Sequence, residues 1–400
     1  MAEGALSQVH LSLTVGTVAT GLALLLGAGS FELGILAIMP VIGALMQFPA
    51  AWWVEWHGER RRASVVGSLG RLFSLVPVVL LFVPLPISLK LALFLLATAL
   101  GNMLLAVATN AWTGWMTDLI PAHVRGQYFG VRGAVMSGVA MVVGYGGAWL
   151  VDRSQPTGLE TLAYAGVMVF AVVCGAASSL LLARQPEPPM VGVTRHSLRQ
   201  LIALPVHNQQ FRAFASTFLL WQIGMGIASP FFIAYGLTSL RLPLQTLALL
   251  DAITALTGLL SQPRWGKLSD RIGARRTLLI SMALIVPLPW AWLLATPERI
   301  WPLFINAALS GVMWAGFLLA QTNRMMEQAP AEGRGAYFAA FSVATGVPFM
   351  VASLGAGALM SARGVAPITL AGLTFHPYLA LFFLSGLLRL LSLLFGRKAV

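Results

Sequence analysis

Residues 118–129 read Asp-Leu-Ile-Pro-Ala-His-Val-Arg-Gly-Gln-Tyr-Phe, and residues 327–338 read Glu-Gln-Ala-Pro-Ala-Glu-Gly-Arg-Gly-Ala-Tyr-Phe. The acid, the proline, the Arg-Gly pair and the Tyr-Phe pair recur at one offset of 209 residues. A second motif lies upstream. Residues 266–276 read Gly-Lys-Leu-Ser-Asp-Arg-Ile-Gly-Ala-Arg-Arg, and residues 51–61 hold a weaker copy, Ala-Trp-Trp-Val-Glu-Trp-His-Gly-Glu-Arg-Arg, at an offset of 215. Repetition at a nearly fixed spacing indicates a duplicated architecture with two similar halves.

The composition indicates that both halves lie in a membrane. Charged residues make up 10% of the chain, against roughly 25% in a typical soluble protein, and the mean hydropathy is +0.82. Apolar stretches of about 20 residues follow one another, each long enough to cross the hydrocarbon core. They are continuous rather than alternating, which excludes membrane strands. We therefore predict an all-α polytopic membrane protein with two pseudo-symmetric six-helix bundles, whose transmembrane spans are 6–28, 32–54, 63–83, 88–112, 127–151, 159–183, 211–235, 244–265, 277–295, 300–322, 336–360 and 378–395.

The net charge of +12 follows from the topology of the loops. Of the 25 Lys and Arg residues, 17 fall in loops on one side of the predicted membrane, five on the other and three inside spans. This asymmetry is the positive-inside pattern, so we expect both termini in the cytoplasm and the protein in the inner membrane. The basic side would attract anionic lipid, and no nucleic-acid partner is expected.

A proline- and arginine-rich connector separates the two halves. We predict an N-terminal bundle over residues 1–183, a cytoplasmic linker over 184–212 and a C-terminal bundle over 213–400. Within the linker, Ser197–Leu204 is a candidate for a short interfacial helix.

The motif at 266–276, in the predicted loop between the eighth and ninth spans, resembles the loop signature of the major facilitator superfamily. The resemblance covers the whole chain, because twelve spans, two halves, a long central connector and the equivalent loop of each half all match. The first copy departs from the family pattern, with Ala51 for the glycine, Glu55 for the aspartate and Trp56 for the arginine. The resemblance implies secondary transport by alternating access.

The repeated motifs predict a latch on the cytoplasmic side. A carboxylate at one helix end can accept hydrogen bonds from the free N–H groups at the start of another helix, where the helix dipole is positive. By pseudo-symmetry, we expect Asp270 to meet the start of the fifth span and Glu55 the start of the eleventh, with the arginines of the motif pairing with Asp118 or Glu327. For the basic residues of the motif, the alternative is that they only follow the positive-inside rule and take no part in a latch. The predicted latch residues are Glu55, Arg60, Arg61, Asp118, Arg125, Gly266, Asp270, Arg271, Gly273, Arg275, Arg276, Glu327 and Arg334.

Ionisable groups inside the spans are few and costly, which makes each a functional candidate. Asp251, about two turns into the eighth span, is the candidate for proton coupling, with a paired residue of an outer vestibule as the alternative. Arg132 in the fifth span is expected to pair with Asp118, with an anionic substrate group as the alternative. The resemblance puts the spans of Arg71 and Arg389 at the periphery, so we expect both side chains to snorkel.

Neutral polar residues predict the substrate region. The resemblance implies that the first, fourth, seventh and tenth spans line the central path, where amides and indoles would supply hydrogen bonds and stacking surfaces. The alternatives are interfacial tryptophans and hydrogen bonds between helices. The candidates are Asn102, Asn110 and Trp112 in the fourth span, Trp221 and Gln222 in the seventh, and Asn306, Trp314 and Gln321 in the tenth.

No pattern predicts a metal, a cofactor or an enzyme. The six histidines are scattered without ligand spacing, and the glycines of the fifth span lack the lysine of a phosphate-binding loop. We therefore expect a monomeric secondary transporter of a small organic solute, driven by a gradient and with protons as the candidate coupling ion. The alternatives are a passive uniporter, a lipid or drug exporter of the same fold, and a non-transporting membrane receptor or scaffold.

Overall fold

The computed structural model describes residues 1–188, 205–328, 334–364, 368–370 and 373–396. Within this part of the chain, α-helices and short 3₁₀ turns form twelve successive spans. The spans are Ala2–Thr14 with Thr17–Leu25 (span 1), Ser30–Leu45 with Gln47–His57 (span 2), Arg60–Ser68 with Leu69–Leu75 and Val76–Phe82 (span 3), Ile87–Leu119 (span 4), Ala122–Ser154 (span 5), Glu160–Ala183 (span 6), Gln209–Ala228 with Phe231–Thr238 (span 7), Leu244–Ile272 (span 8), Ala274–Ile285 with Leu288–Ala291 and Trp292–Leu294 (span 9), Trp301–Gln328 (span 10), Arg334–Arg363 (span 11) and Pro377–Gly396 (span 12).

The lengths and compositions of these spans confirm a polytopic helical membrane protein. Among the described residues, ten spans are long and apolar enough to cross a membrane, and span 1 qualifies as a helix pair bent by 40°. Span 2 falls short of the criterion because its helix is interrupted at Met46, which leaves two shorter helices. Each predicted span lies on one of these helical segments, and the predicted boundaries differ from the observed ones by a few residues at most ends.

The packing inside each six-span set repeats. Span 1 packs on spans 5 and 6, span 4 on spans 2 and 3, and span 3 on span 6. In the second set, span 7 packs on spans 11 and 12, span 10 on spans 8 and 9, and span 9 on span 12. Each pair in the first set therefore has its counterpart six spans later, as a duplicated architecture requires.

Close helix crossings repeat at the same offsets as the sequence motifs. A Cβ atom on Gly43 would lie 2.8 Å from the carbonyl oxygen of Asn102, where span 2 crosses span 4. A Cβ atom on Gly258 would lie 3.2 Å from the carbonyl oxygen of Gly311, where span 8 crosses span 10. Small residues let helix backbones approach where lipid provides no hydrophobic drive.

Spans 1 and 7 are interrupted at matching positions. Span 1 breaks at Val15–Gly16, where Gly16 has a φ of 75°, a conformation that favours glycine. Span 7 bends more mildly at Ser229–Pro230, where the proline removes one hydrogen bond of the ladder while both residues keep right-handed helical dihedrals. The first span of each six-span set therefore carries an irregularity at a corresponding position, a full break in span 1 and a proline bend in span 7.

Contacts divide the chain into two compact units. Unit 1 comprises residues 1–28 and 39–198, and unit 2 comprises residues 29–38 and 199–400. The segment 29–38, the outer part of span 2, belongs to unit 2 because it packs on span 11: the Ser353 hydroxyl donates to the Gly34 carbonyl at 2.9 Å. The predicted boundaries assign this segment to the first bundle. The change of unit between residues 198 and 199 falls inside the predicted linker.

A short hairpin lies between spans 11 and 12. Strands β1 (Ile368–Leu370) and β2 (Leu373–Phe375) pair antiparallel, with Ile368 opposite Phe375. This hairpin is not predicted from the sequence, where strands are weighed only as elements that cross the membrane.

Candidate functional site

A small cavity with a mainly apolar lining and a few polar groups lies inside unit 1, beside the break in span 1. It has a volume of about 70 Å³ and lies between spans 1, 3, 4 and 6. Its polar lining is His10, Thr14, Ser74, Thr98 and Asn102. Such a cavity has room for a few water molecules, far less than the ~300 Å³ of a typical ligand pocket. It is therefore a recess large enough for water that includes one predicted substrate residue, Asn102, and it is too small to be a complete substrate site.

Arg71 fixes a buried network next to this cavity. One guanidinium nitrogen donates to the Gly175 carbonyl at 3.2 Å and to the Ser179 hydroxyl at 3.0 Å, and the other donates to the Ser7 hydroxyl at 2.8 Å. The residue is 8% exposed. The prediction that Arg71 snorkels is wrong, because spans 1 and 6 present acceptors toward the interior of the unit and satisfy the charge there.

His10 connects Arg71 to the cavity. Its Nε2 lies 3.4 Å from the Arg71 carbonyl oxygen and 3.3 Å from the Ser74 hydroxyl, and its Nδ1 lies 3.4 Å from the Thr14 hydroxyl. A neutral imidazole has one donor and one acceptor nitrogen, so it can satisfy both sides of this arrangement. The network therefore runs continuously from span 6 to the break in span 1.

Arg132 pairs with Glu3, a partner that is not predicted from the sequence. Its Nη2 lies 3.2 Å from Glu3 Oε2, and both side chains are largely buried. The Ser178 hydroxyl donates to the Glu3 carbonyl at 3.0 Å, which ties the same turn of span 1 to span 6. A Cβ atom on Gly4 would lie 2.7 Å from Arg132 Nη2, so glycine makes room for the pair. The predicted partner, Asp118, has a side chain outside the described residues.

Trp112 lies under the Arg132 guanidinium. The Arg132 Cζ is 4.4 Å from the centroid of the indole ring, a cation–π distance. Phe129 meets the same ring edge-on at 6.2 Å. Asn110, two residues earlier, is half-buried on span 4. Of the predicted substrate residues in unit 1, Trp112 is thus the one in direct contact with a described ionic group.

Unit 2 carries an aromatic cluster where the sequence predicts stacking residues. Trp221 is 1% exposed and stacks on Phe317, with ring centroids 5.3 Å apart. Trp314 meets Phe317 edge-on at 5.1 Å. Gln222 and Gln321 are half-buried. Trp221 and Trp314 therefore pack in the core of the unit, which leaves their indole faces largely covered.

Asn306 joins two spans. With its amide oriented to satisfy both neighbours, it donates to the Leu288 carbonyl at 3.0 Å and accepts from Trp292 Nε1 at 3.3 Å. Both partners lie in span 9. This is the interhelical use that the sequence analysis keeps as the alternative to substrate binding.

Arg389 is a buried cation in the middle of span 12. It is 3% exposed, which contradicts the predicted snorkelling. Its described contact is with Trp221, whose ring centroid lies 5.9 Å from the guanidinium carbon. Within the described part of the chain, Arg389 has no hydrogen bond and no ion pair, and its Nε is buried. The side chain points inward because Gly224 leaves space for it, with Arg389 Cγ 3.2 Å from where a Cβ would be.

Asp251 lies about two turns into span 8, as predicted. The span begins at Leu244, and Asp251 is exposed on the surface of unit 2. It is not an isolated charge. Its role in proton coupling remains a prediction.

The loop motifs form matching helix ends. Gly273 follows the last residue of span 8 with a φ of 87°, and Gly58 follows span 2 with a φ of 70°. Both positions favour glycine because an L side chain is strained there. Asp270 and Arg271 are exposed at the end of span 8. Within its own unit, Asp270 has no hydrogen bond or ion pair to a described residue. The other members described in this loop are Gly266, Arg275 and Arg276.

The predicted latch pairs residues of different halves and stays a prediction. The side chains of Glu55, Asp118, Arg125 and Arg334 lie outside the described residues, as does the whole of Ser197–Leu204. Glu327 forms an ion pair at 2.8 Å with Arg324 on its own span.

Arg60 and Arg61 hold the start of the linker. Arg60 is 4% exposed and donates to the Gly114 carbonyl at 3.2 Å and to the Pro188 carbonyl at 3.1 Å. The backbone N–H of Arg61, in the first turn of span 3, donates to Glu187 Oε1 at 3.0 Å. A carboxylate at a helix N-terminus is stabilising, so this contact resembles the latch chemistry but lies within one unit.

The signals for the unit 1 network were present in the sequence. Gly175, Ser178 and Ser179 form a small polar face on span 6, and Ser7, His10 and Thr14 recur at helical spacing on span 1. Matching these faces to a single arginine in span 3 requires knowledge of which spans touch. Among the described residues, no group of three or more His, Cys, Asp or Glu residues could hold a metal.

The fold defines the class: an integral membrane protein with two six-helix sets. Residues 217–399 match the family described as Major Facilitator Superfamily. No curated protein matches the chain. The predicted resemblance to this superfamily is confirmed by the family match in the second half together with the fold of the whole chain.

Solved structures share this fold over the whole length. A variant of the nucleoside transporter NupG matches with a TM-score of 0.74 and 12% identity, covering 100% of this chain and 98% of that one. A D-xylose-proton symporter matches with a TM-score of 0.72 and 15% identity, covering 100% and 96%. A bacterial homologue of the iron transporter ferroportin, in an outward-facing state, matches with a TM-score of 0.63 and 14% identity, covering 99% of this chain and 97% of that one.

Proposed function

We propose that the protein is a secondary transporter that moves a small organic solute by alternating access in the inner membrane, with both termini in the cytoplasm. The observation that carries this proposal is the break in span 1 at Val15–Gly16, with a milder proline bend at the corresponding position of span 7, Ser229–Pro230. Broken helices inside a membrane occur where the irregular backbone faces protein or a hydrated cavity, and in transporters they mark the solute site. The small cavity of unit 1 lies at the break in span 1.

The proposed driving force is a proton gradient. Among the solved structures of this fold is a D-xylose-proton symporter, which supports proton coupling as the first choice to test. The sequence predicts Asp251 in unit 2 as the coupling acid, and the buried Glu3 of unit 1 is the rival candidate, so the amide variants of both acids are compared. In unit 1 the proposed solute-binding residues are Asn102 and Trp112. In unit 2 Gln321 stays a candidate, and Asn306 is omitted because its amide bridges spans 9 and 10. The protein is proposed to act as a monomer in contact with anionic lipid.

The test is stabilisation and exchange by a solute panel. The purified full-length protein in detergent is heated with sugars, nucleosides and organic acids, and each stabilising solute is then tested for counterflow in proteoliposomes. Gly16→Ala should reduce counterflow at least tenfold, because alanine is strained at positive φ and favours a continuous helix. Gly158→Ala is the matched control, since Gly158 has a φ of 71° in open space outside the spans. A panel in which no solute stabilises or exchanges would favour the receptor or scaffold alternative.

A further inference from the structure

Trp112 and Arg132, which touch each other in unit 1, each carry a buried N–H donor that lacks an acceptor among the described residues. Trp112 Nε1 and Arg132 Nε have no hydrogen-bond partner within the described part of the chain. Buried donors in native proteins are normally paired, so each such group calls for an explanation. Here the two donors belong to side chains that touch each other.

The two donors lie in one small region because the side chains stack. The guanidinium carbon of Arg132 is 4.4 Å from the ring centroid of Trp112, on adjacent spans 5 and 4. Phe129 closes one edge of the indole. Arginine and an indole N–H together form a recognition pair for an oxygen that carries negative charge, with an apolar wall beside it.

Arg132 already holds a carboxylate from its own chain. Glu3 Oε2 lies 3.2 Å from Arg132 Nη2, while Arg132 Nη1 lies 2.9 Å from the sulfur of Met136, a weak acceptor. The donor Nε therefore remains for a second oxygen. Glu3 is held by span 6 as well, through Ser178.

The charges around Glu3 are positive. Arg132 faces it from span 5, and Arg71 from span 3 shares the Ser178 hydroxyl with it. On its own span, His10 lies two turns further along. Span 6 presents neutral hydroxyl groups. A second anion near Arg132 would compete with Glu3 for the same guanidinium, and the displaced carboxylate would then favour protonation.

We propose that Trp112 and Arg132 bind the carboxylate of the transported solute, and that Glu3 is the resident carboxylate which this solute displaces. When the solute's carboxylate pairs with the Arg132 guanidinium, Glu3 leaves Arg132 and accepts one proton from water at Oε2. One anion and one proton are then carried together, with no net charge. On release, Glu3 returns its proton to water and re-forms the ion pair. This inference rests on the proposed transport function and assigns its substrate class.

The substitutions follow from these contacts. Trp112→Phe removes the N–H donor and keeps a ring under the guanidinium, so carboxylate affinity should fall about five- to tenfold. Glu3→Gln removes the competitor, so affinity should rise about tenfold at neutral pH. In the unmodified protein the affinity should fall as pH rises, because binding of the solute takes up one proton. In Glu3→Gln it should be independent of pH over the same range. The matched controls are Trp301→Phe, an exposed indole, and Glu160→Gln, a half-buried acid of unit 1 that accepts a hydrogen bond from Gln155.

The experiment measures thermal stabilisation of the full-length protein by benzoate, lactate and succinate, each beside its amide, from pH 5 to 8. The result expected is stabilisation by at least one carboxylate and not by its amide, with the pH dependence lost in Glu3→Gln. The proposal is overturned if no carboxylate stabilises the protein more than its amide does, since Trp112 and Arg132 with only water as their partner would not distinguish the two. It is also overturned if Glu3→Gln weakens binding or keeps the pH dependence.

Neutral sugars and nucleosides distinguish failure of the anion site from failure of the transport function. If one of them stabilises the protein and is exchanged in proteoliposomes equally well by Arg132→Met, the transport function is supported and the anion site is contradicted.

Discussion

The two units share a packing pattern and differ in what fills their interiors. Where span 1 packs on span 6, Arg71 is surrounded by the Gly175 carbonyl and by serine hydroxyls. Where span 7 packs on span 12, Arg389 meets the face of Trp221 and has no described hydrogen bond or ion pair. Both arginines are buried to a similar degree, at 8% and 3% exposure.

This difference teaches that helix packing and interior chemistry are separable. Crossings such as Gly43 on Asn102 and Gly258 on Gly311 place the backbones in the same way in both units. The side chains behind those crossings are then free to differ, since packing in lipid depends mainly on small residues at the contact. The interior of unit 1 contains buried ionic groups, whereas the corresponding interior of unit 2 contains aromatic rings.

The largest expected effect is the loss of the Arg71 network. Arg71→Met should lower the free energy of unfolding by about 3–5 kcal/mol, because it leaves several buried acceptors unpaired and removes a positive charge near Glu3. The measurement is a denaturant titration of the full-length protein in detergent micelles. A loss below about 1 kcal/mol would show that the network contributes little to unit 1.

A smaller effect is expected at the start of the linker. Arg60→Ala removes two hydrogen bonds from a charged donor, so the segment up to Pro188 should open more easily, by about 2 kcal/mol. Cleavage after Glu187 by a glutamyl endopeptidase should then become about 30-fold faster, if opening is rapid and reversible. Arg62→Ala is the matched control, because the Arg62 side chain is 72% exposed on the same turn. Equal rates in both variants would contradict the anchoring role of Arg60.

The latch motif should have a moderate effect that differs between its copies. Asp270→Asn should change the rate of solute exchange about fivefold, since an acid at a helix N-terminus contributes ~1 kcal/mol. Glu55→Gln, in the altered copy, should change it less. Proteoliposome counterflow measures both. If Asp270→Asn leaves exchange unchanged, the latch hypothesis fails and the motif acts only through its helix-ending glycine.

The smallest effect on stability is expected for Arg389→Met. Replacing a buried cation that lacks described counter-charges by an apolar side chain of similar length should change the free energy of unfolding by less than about 1 kcal/mol, and toward greater stability. The same titration used for Arg71→Met provides the comparison. A loss as large as that of Arg71→Met would mean that Arg389 is satisfied as fully as Arg71.

The sequence predicts the fold well because its signals are strong. Long apolar stretches, loop charges and two repeated motifs give twelve spans and their duplication. Predictions for single arginines fail for a physical reason. Whether Arg71 snorkels or turns inward depends on Ser7, Gly175 and Ser178, which come from spans that sequence periodicity does not pair. The Arg132–Glu3 pair is not predicted either, since it depends on the packing of span 1 on span 5, while the predicted pairing of Arg132 with Asp118 stays a prediction.

The central claim is that coupling chemistry lies in unit 1, at Glu3, and it is tested most directly by comparing two acid variants. Accumulation of the identified solute is measured in proteoliposomes under an imposed proton gradient, and counterflow without a gradient is measured in parallel. We predict that Glu3→Gln loses gradient-driven accumulation at least tenfold while counterflow persists, and that Asp251→Asn accumulates within about twofold of the unmodified protein. Loss of the gradient response in Asp251→Asn, with Glu3→Gln still responding, would contradict the account.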